Sequence, residues 1–477
     1  MLDRSVILLE FNELSPALME RFIKAGHLPN FQRLAEQSFT YVTDAEERAP
    51  NLEPWIQWIT VHTGLGYGEH GVFVLGDGHK LDAPRLWDLA SAAGKRVWVC
   101  GSMNVGYQVP IRGLVLPDPW SSGVAPFPSE LQPYYDFVRR HVQEYTRDSV
   151  PVSATDYVRF LSFMATHGLA PSTIGAIAGQ LLSERSGKSR WRRATILDRL
   201  QWDVFRWYYR KTRPHLSTFF LNSTAHFQHM YWRNMDPEPF TIKPTSEEQR
   251  EYEAAVLSGY RAMDRLVGDC LRLADGATTI VFASALGQQP CLLYEDIGGK
   301  TFHRPLDPER FLAFAGITQP HRYSPVMSEE FHIYFDSETD ARDAVTRLTA
   351  LRVQGRPLMR ARAEGVEVFG GCSVFETVDA SATIDVPGTD RSTAFLDLFY
   401  NVDGTKSGMH HPEGLLWIRT PQRTHTARPD AVPLRSVAPT VLSLLDVPRP
   451  ATMTAEPLAE VTAHVRGGGA QALGRVA

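Results

Sequence analysis

Residues Ser5–Phe11, SVILLEF, form a short apolar run without polar alternation, the pattern of a strand covered on both faces. Pro16–Ala25 then repeats its apolar positions at helical spacing and stops at Gly26. The alternation returns as a helix over Ala83–Ala93, a strand over Arg96–Cys100, a helix within Glu247–Ala274 and a strand over Thr278–Ser284, punctuated by Gly or Asp. Alternation of this kind predicts an α/β fold, a mostly parallel sheet with helices on both faces.

Two stretches break the rhythm. Residues 121–215 open on Pro117, Pro119, Pro126 and Pro128 and continue as long amphipathic segments rich in Tyr, Trp and Arg, which predicts a helical insertion capping the loop face of the sheet. Residues 325–400 show strand-like Phe331–Phe335 and Val366–Phe369 around a helical Glu338–Leu351, which predicts a small α+β subdomain. The expected organisation is a discontinuous core over 1–120, 216–324 and 401–465, these two insertions, and a flexible Gly/Ala-rich tail over 466–477. No repeat or low-complexity tract is visible.

Composition narrows the function. With 43% hydrophobic and 22% charged residues the chain is an ordinary globular protein. A net charge of −5 supplies no basic field for a phosphate backbone, so nucleic acid is not an expected partner. Cys100, Cys270, Cys291 and Cys372 are too scattered for metal-type spacing and read as reduced, buried thiols. The first apolar run is too short for a signal sequence and no run is long enough to cross a membrane, so the expected location is cytoplasmic.

Five stretches in order carry a family likeness: LLEFNELSPALMERFIKAGHLPNFQRL, HTGLGYGEHGV, RLWDLASAAGKRVWV, HHPEGLLWI and VPLRSVAPTVLSLLDVP. Together they resemble the alkaline phosphatase superfamily, in its type I phosphodiesterase/nucleotide pyrophosphatase branch. The resemblance implies two metal ions held by Asp and His around a Thr or Ser nucleophile, which the metals activate while clamping phosphoryl oxygens.

This chain departs from that pattern at most positions. By the resemblance, the first-strand Asp falls on Asn12, and the nucleophile on Pro54 or its neighbour Glu53. Ala225 stands for the Asp of the helix that keeps His229, while Ala285 and Leu286 replace the Asp-His turn. His410 remains in its loop. With so few carboxylates a paired-metal site is not expected, and no cofactor is. The alternative is a single divalent ion on His229, His410 and an oxygen of Asn12 or Glu53.

The remaining polar groups still gather at the carboxyl edge of the sheet, where open α/β folds bind ligands. Glu53 is expected in the first turn of a helix that Asn51 caps and Pro54 enters early; there a carboxylate serves as nucleophile or base, or simply faces the helix dipole. His229 and His410 are its expected acid/base partners. His226 lies three residues before His229 and shares its helix face. Asn12, Gln288 and His411 complete a polar rim, and Trp55, Trp58 and Trp232 offer stacking faces for a sugar or base. His70 reads as structural.

These residues lead to one expectation and one alternative. The first is a divergent hydrolase or transferase acting on a small phosphorylated or glycosyl substrate, with Glu53, His229 and His410 as catalytic groups. The alternative is a catalytically inactive relative that binds an anionic or sugar ligand or a protein partner. Sequence patterning leaves the oligomeric state open.

Overall fold

The computed structural model describes residues 4–121, 123–144, 153–186, 190–325 and 329–463; the expected tail over 466–477 lies outside them. Its centre is a sheet built from β1 (Ser5–Phe11), β2 (Phe39–Asp44), β3 (Val97–Cys100), β4 (Gly113–Leu116), β5 (Leu216–Leu221) and β6 (Thr278–Ala283). After β6 come β7 (Gly287–Pro290), β8 (Gly408–His411) and β9 (Glu413–Arg419). The sheet order is β2-β9-β6-β1-β5-β3-β4, with short strand pieces beside β2. Only β9 runs antiparallel to its neighbours; β1 pairs in parallel with both β5 and β6.

The apolar β1 run has the predicted consequence. Ile7, Leu9 and Phe11 pack into the core on one face, and Val6 and Leu8 into the core on the other. Burying each such side chain contributes about 1.5–3 kcal/mol, which accounts for the central place of this strand. Glu10 points into the second core, where its Oε1 lies 2.9 Å from His62 Nε2 of helix Pro54–Thr63.

The predicted long helix is two, Ser246–Tyr252 and Ala255–Leu273. Among the described residues of 121–215 are helices Gln132–Glu144, Ala154–Thr166, Pro171–Ser183 and Arg193–Thr212. The last of these lies on a face of the sheet rather than over its loop edge. Its Phe205 stacks on Trp98 of β3 and packs against Phe219 of β5. Phe205, Tyr208 and Tyr209 of this helix therefore belong to the main core.

Within 321–372 four antiparallel strands run in the order Met359–Glu364, Glu367–Cys372, Glu330–Phe335, His321–Pro325, with helix Glu338–Ala350 packed on them. Phe311, Ile333, Leu348, Val368 and Phe395 form a core of their own there. Strand Thr301–Pro305, which leads into this unit, pairs with strand Phe399–Thr405, which leads out of it. Lys300 and Lys406 flank that pair, and the Lys406 N–H donates to the Lys300 carbonyl at 2.8 Å.

β7 and β8 make a two-stranded antiparallel ribbon continuing from the β6 and β9 pair past the carboxyl edge of the sheet. The four cysteines are free and buried. Among the described residues no helix is long and apolar enough to cross a membrane.

Candidate active site

The site begins where β1 ends. The Asn12 N–H donates to Leu221 O at 2.9 Å and the Glu13 N–H to Ser284 O at 3.1 Å, so the chain stays tied to both neighbouring strands. Glu13 adopts a left-handed backbone, φ 58°, at a cost of about 1–2 kcal/mol for a residue with a Cβ. Its carbonyl accepts from Gln228 Nε2 at 2.8 Å, and Gln228 is itself held by the Tyr260 hydroxyl at 2.8 Å. This turn aims the Glu13 carboxylate inward, where it is buried.

Four side chains meet that carboxylate. Asn12 Nδ2 donates to Oε1 at 2.8 Å, and Gln288 Nε2 to Oε2 at 2.6 Å. His229 Nε2 lies 3.0 Å from Oε2 and His410 Nε2 3.4 Å from it. Gln288 and His410 stand opposite each other in the β7–β8 register, so the pleat delivers both to one face. His229 comes from helix Ser223–Met235, and its Nδ1 lies 3.0 Å from the Gly408 carbonyl.

The two nitrogens of His229 thus face two oxygens, Nε2 the Glu13 carboxylate and Nδ1 the Gly408 carbonyl. Burial works to raise Glu13, but the facing His410 and His229 rings and the Gln288 amide reverse this and hold it at about 2. His410 moves the other way. Burial draws it down to about 3, against the pull of Glu13.

Glu53 is itself the N-cap residue of helix Pro54–Thr63, in place of the expected Asn51, and Pro54 opens the helix. Its side chain makes no capping hydrogen bond. Instead its Oε2 lies 3.5 Å from His410 Nδ1, with the side chain 29% exposed. Burial pushes Glu53 up; Lys406 and Lys300 oppose the rise, Glu13 and Glu330 add to it, and the result is about 8. Glu330 reaches this neighbourhood from the four-stranded unit, held by Arg360 at 3.0 Å.

Several expected site residues sit elsewhere. The Asn12 carbonyl oxygen accepts from Trp58 Nε1 at 2.7 Å and its amide also donates to Asn222 Oδ1 at 2.7 Å, so that oxygen is directed at the indole and not at the histidines. Glu13 supplies the third group beside His229 and His410. Trp58 and Trp232 are core residues with no face open to a ligand. Trp55 is partly buried and donates to Phe73 O at 2.8 Å. His226 lies half-buried beside Phe227, outside the Glu13, His229 and His410 cluster. His411 faces away from His410, as strand neighbours do, and accepts from the Glu413 N–H at 3.2 Å. His70 is buried and accepts from the Val72 N–H, with burial lowering it to about 4.

Glu13, Asn222, Lys300 and Lys406 were not anticipated. For Glu13 the available signal was its place directly after Asn12 at the carboxyl end of the first strand. Ala225, Ala285 and Leu286 are buried apolar residues.

The assembled array is a carboxyl group at the mouth, an imidazole behind it, a buried carboxylate, and a second imidazole. One ligand atom from each of Glu13, His229 and His410 lies within 4.8 Å of the others, so these residues fit a single divalent ion.

Comparison with known proteins identifies the lineage. No curated protein sequence matches the chain. Among solved structures, phosphonoacetate hydrolase from Sinorhizobium meliloti 1021 in complex with phosphonoformate aligns over 93% of this chain and 96% of its own, with 12% identity and a TM-score of 0.39. Human ectonucleotide pyrophosphatase/phosphodiesterase 5 aligns over 96% and 99%, with 10% identity and a TM-score of 0.43. The family model for type I phosphodiesterase/nucleotide pyrophosphatase matches residues 6–350. On that match the chain belongs to the type I phosphodiesterase/nucleotide pyrophosphatase family.

Proposed function

We propose that this protein is a divergent hydrolase or transferase of its family that works on a phosphorylated substrate, with Glu53 as the acting carboxyl group and without a paired-metal site. The observation that carries the reading is the approach of Glu53 Oε2 to His410 Nδ1, 3.5 Å, by a residue that leaves its own helix uncapped. A carboxylate at the N-cap serving only the helix would turn back to the free N–H groups.

With Glu53 held at about 8, its protonated form dominates at neutral pH, which suits a general acid that protonates a leaving oxygen. His410 lies behind it, kept neutral by burial, and orients the Glu53 carboxyl group, while Glu13 with His229 fixes the orientation of His410. Lys406 and Lys300 are the cationic groups that act on Glu53, and they favour a substrate carrying phosphoryl charge over a neutral glycoside. A single divalent ion, if bound, would be held by Glu13, His229 and His410 and would polarise a phosphoryl oxygen.

The test compares the protein with Glu53→Gln on nitrophenyl phosphodiesters, phosphomonoesters and glycosides. The expected result is turnover of a phosphoryl substrate that falls about 100-fold or more in the variant. Full activity in Glu53→Gln refutes the assignment. Binding of phosphoryl ligands with no turnover supports the second reading, an inactive ligand-binding relative, which the apolar Ala225, Ala285 and Leu286 favour.

A further inference from the structure

Helix Pro171–Ser183, PSTIGAIAGQLLS, has no charged residue, yet it lies on the outside of the protein. Its one buried residue is Thr173, and Ile177 packs partly against the core. Ile174, Leu181 and Leu182 are 53%, 58% and 60% exposed. With Ala178 between them these positions follow i, i+4, i+7, i+8 and form one stripe. On the preceding helix, Ala154–Thr166, Val158 and Leu161 are also exposed. A soluble surface pays for such side chains unless something covers them.

The ends of this stripe are basic. The helix is pinned along Arg193–Thr212 at both ends: Arg193 Nε meets Glu184 at 2.7 Å, and the Ala170 N–H donates to Asp203 at 2.9 Å. At the Ala170 end, Gly168, Arg206, Trp207, Arg210 and Lys211 line a cleft of about 440 Å³, with Lys211 Nζ 4.4 Å from the Trp207 ring. At the other end stand Arg185, in the turn Glu184–Ser186, and Arg190, which acts on Glu184. Residues 121–215 hold 14 Lys and Arg against 8 Asp and Glu, a net +6 in a chain of net −5, which leaves −11 on the remainder.

From this we infer that the 154–211 face is a docking surface for an anionic phospholipid bilayer: the Ile174, Leu181 and Leu182 stripe enters the interfacial region and the exposed Arg210 and Lys211 bind headgroup phosphates. An uncharged apolar stripe with cations at both ends matches the profile of such an interface, apolar below and anionic at the headgroups. The rest of the chain, net negative, is repelled and points outward. A second copy of the chain fits worse, because a symmetric contact through this stripe brings basic ends together in either orientation.

The test is co-sedimentation of the full chain with vesicles of phosphatidylcholine alone and with a third phosphatidylglycerol. The expected result is binding to the anionic vesicles at least about ten-fold above neutral ones, lost in high salt and insensitive to millimolar inorganic phosphate. Leu181→Glu with Leu182→Glu, and separately Arg210→Glu with Lys211→Glu, should each cut it about ten-fold, with unchanged melting curves because all four side chains are exposed. If the leucine pair alters folding, the Arg210 and Lys211 pair decides alone. Failure of the native protein to bind anionic vesicles overturns the inference. So does full binding by either folded double variant, or a lipid-free dimer that the leucine pair dissolves.

Discussion

Glu13 Oε2 lies 3.0 Å from His229 Nε2, joining the turn after the first strand to a helix from the middle of the chain. Because the carboxylate is buried, its partner cannot be lost cheaply. Glu13→Gln takes away the buried acceptor that Asn12, Gln288 and His229 face and is expected to lower stability by about 2–3 kcal/mol, read from the urea midpoint.

The same pair sets an acid limb. Glu13 sits at about 2 in the folded state against an ordinary 4.5, so its contribution is fully present above about 4.5 and is lost as pH falls toward 2. Acid titration of unfolding should show this loss in the native protein. A Glu13→Gln variant with an unchanged acid limb would remove Glu13 as its source.

Glu53 behaves oppositely. Its folded value, about 8, exceeds the ordinary 4.5, so its contribution is present below about 4.5 and is lost as pH rises through about 8. Above that pH Glu53→Gln should be more stable than the native protein, on the order of 1–2 kcal/mol by thermal or urea unfolding, after discounting for partial exposure. Activity that needs the protonated acid should fall above about pH 8 with a slope of one proton. A rate that instead climbs through this range would make Glu53 a base or nucleophile.

A divalent ion in the Glu13, His229 and His410 cluster needs unprotonated ligand atoms, so it competes with protons for them. Calorimetric titration with Zn²⁺ should give one equivalent and tighter binding at higher pH. Glu13→Gln and His410→Ala should each weaken it at least about ten-fold. Absence of any binding would discard the single-ion arrangement while leaving the Glu53 and His410 relay intact.

Asn12→Asp tests the charge balance directly. The Asn12 amide donates to Glu13 Oε1 at 2.8 Å, and a carboxylate there would set two acceptors against each other. Stability without metal should drop by about 1–3 kcal/mol, and divalent ions should restore part of it, both read by thermal unfolding.

Much of the fold was legible because β1 is apolar on both faces and its helices carry a single apolar stripe, patterns that local periodicity records directly. The candidate site was legible mostly where a residue falls at or beside a family position, as His229, His410 and Glu53 do, with Gln288 the exception. Glu13 was not. A glutamate in a polar turn ordinarily points to water, and only the left-handed backbone at φ 58°, tied to Leu221 and Ser284 by its neighbours in the sheet, turns it inward. Trp58 misled in the other direction, since an aromatic residue near a site reads equally as a ligand platform or as core, and its bond to Asn12 decides for core.

By itself the order of apolar and polar residues determined the layered α/β architecture, and five short stretches carried the family resemblance that singles out Ala225, Ala285 and Leu286. Tertiary structure alone decided which polar groups meet. Glu13, Gln288, His229 and His410 come from four separate segments, and their distances depend on strand register and one strained turn, neither of which local periodicity encodes.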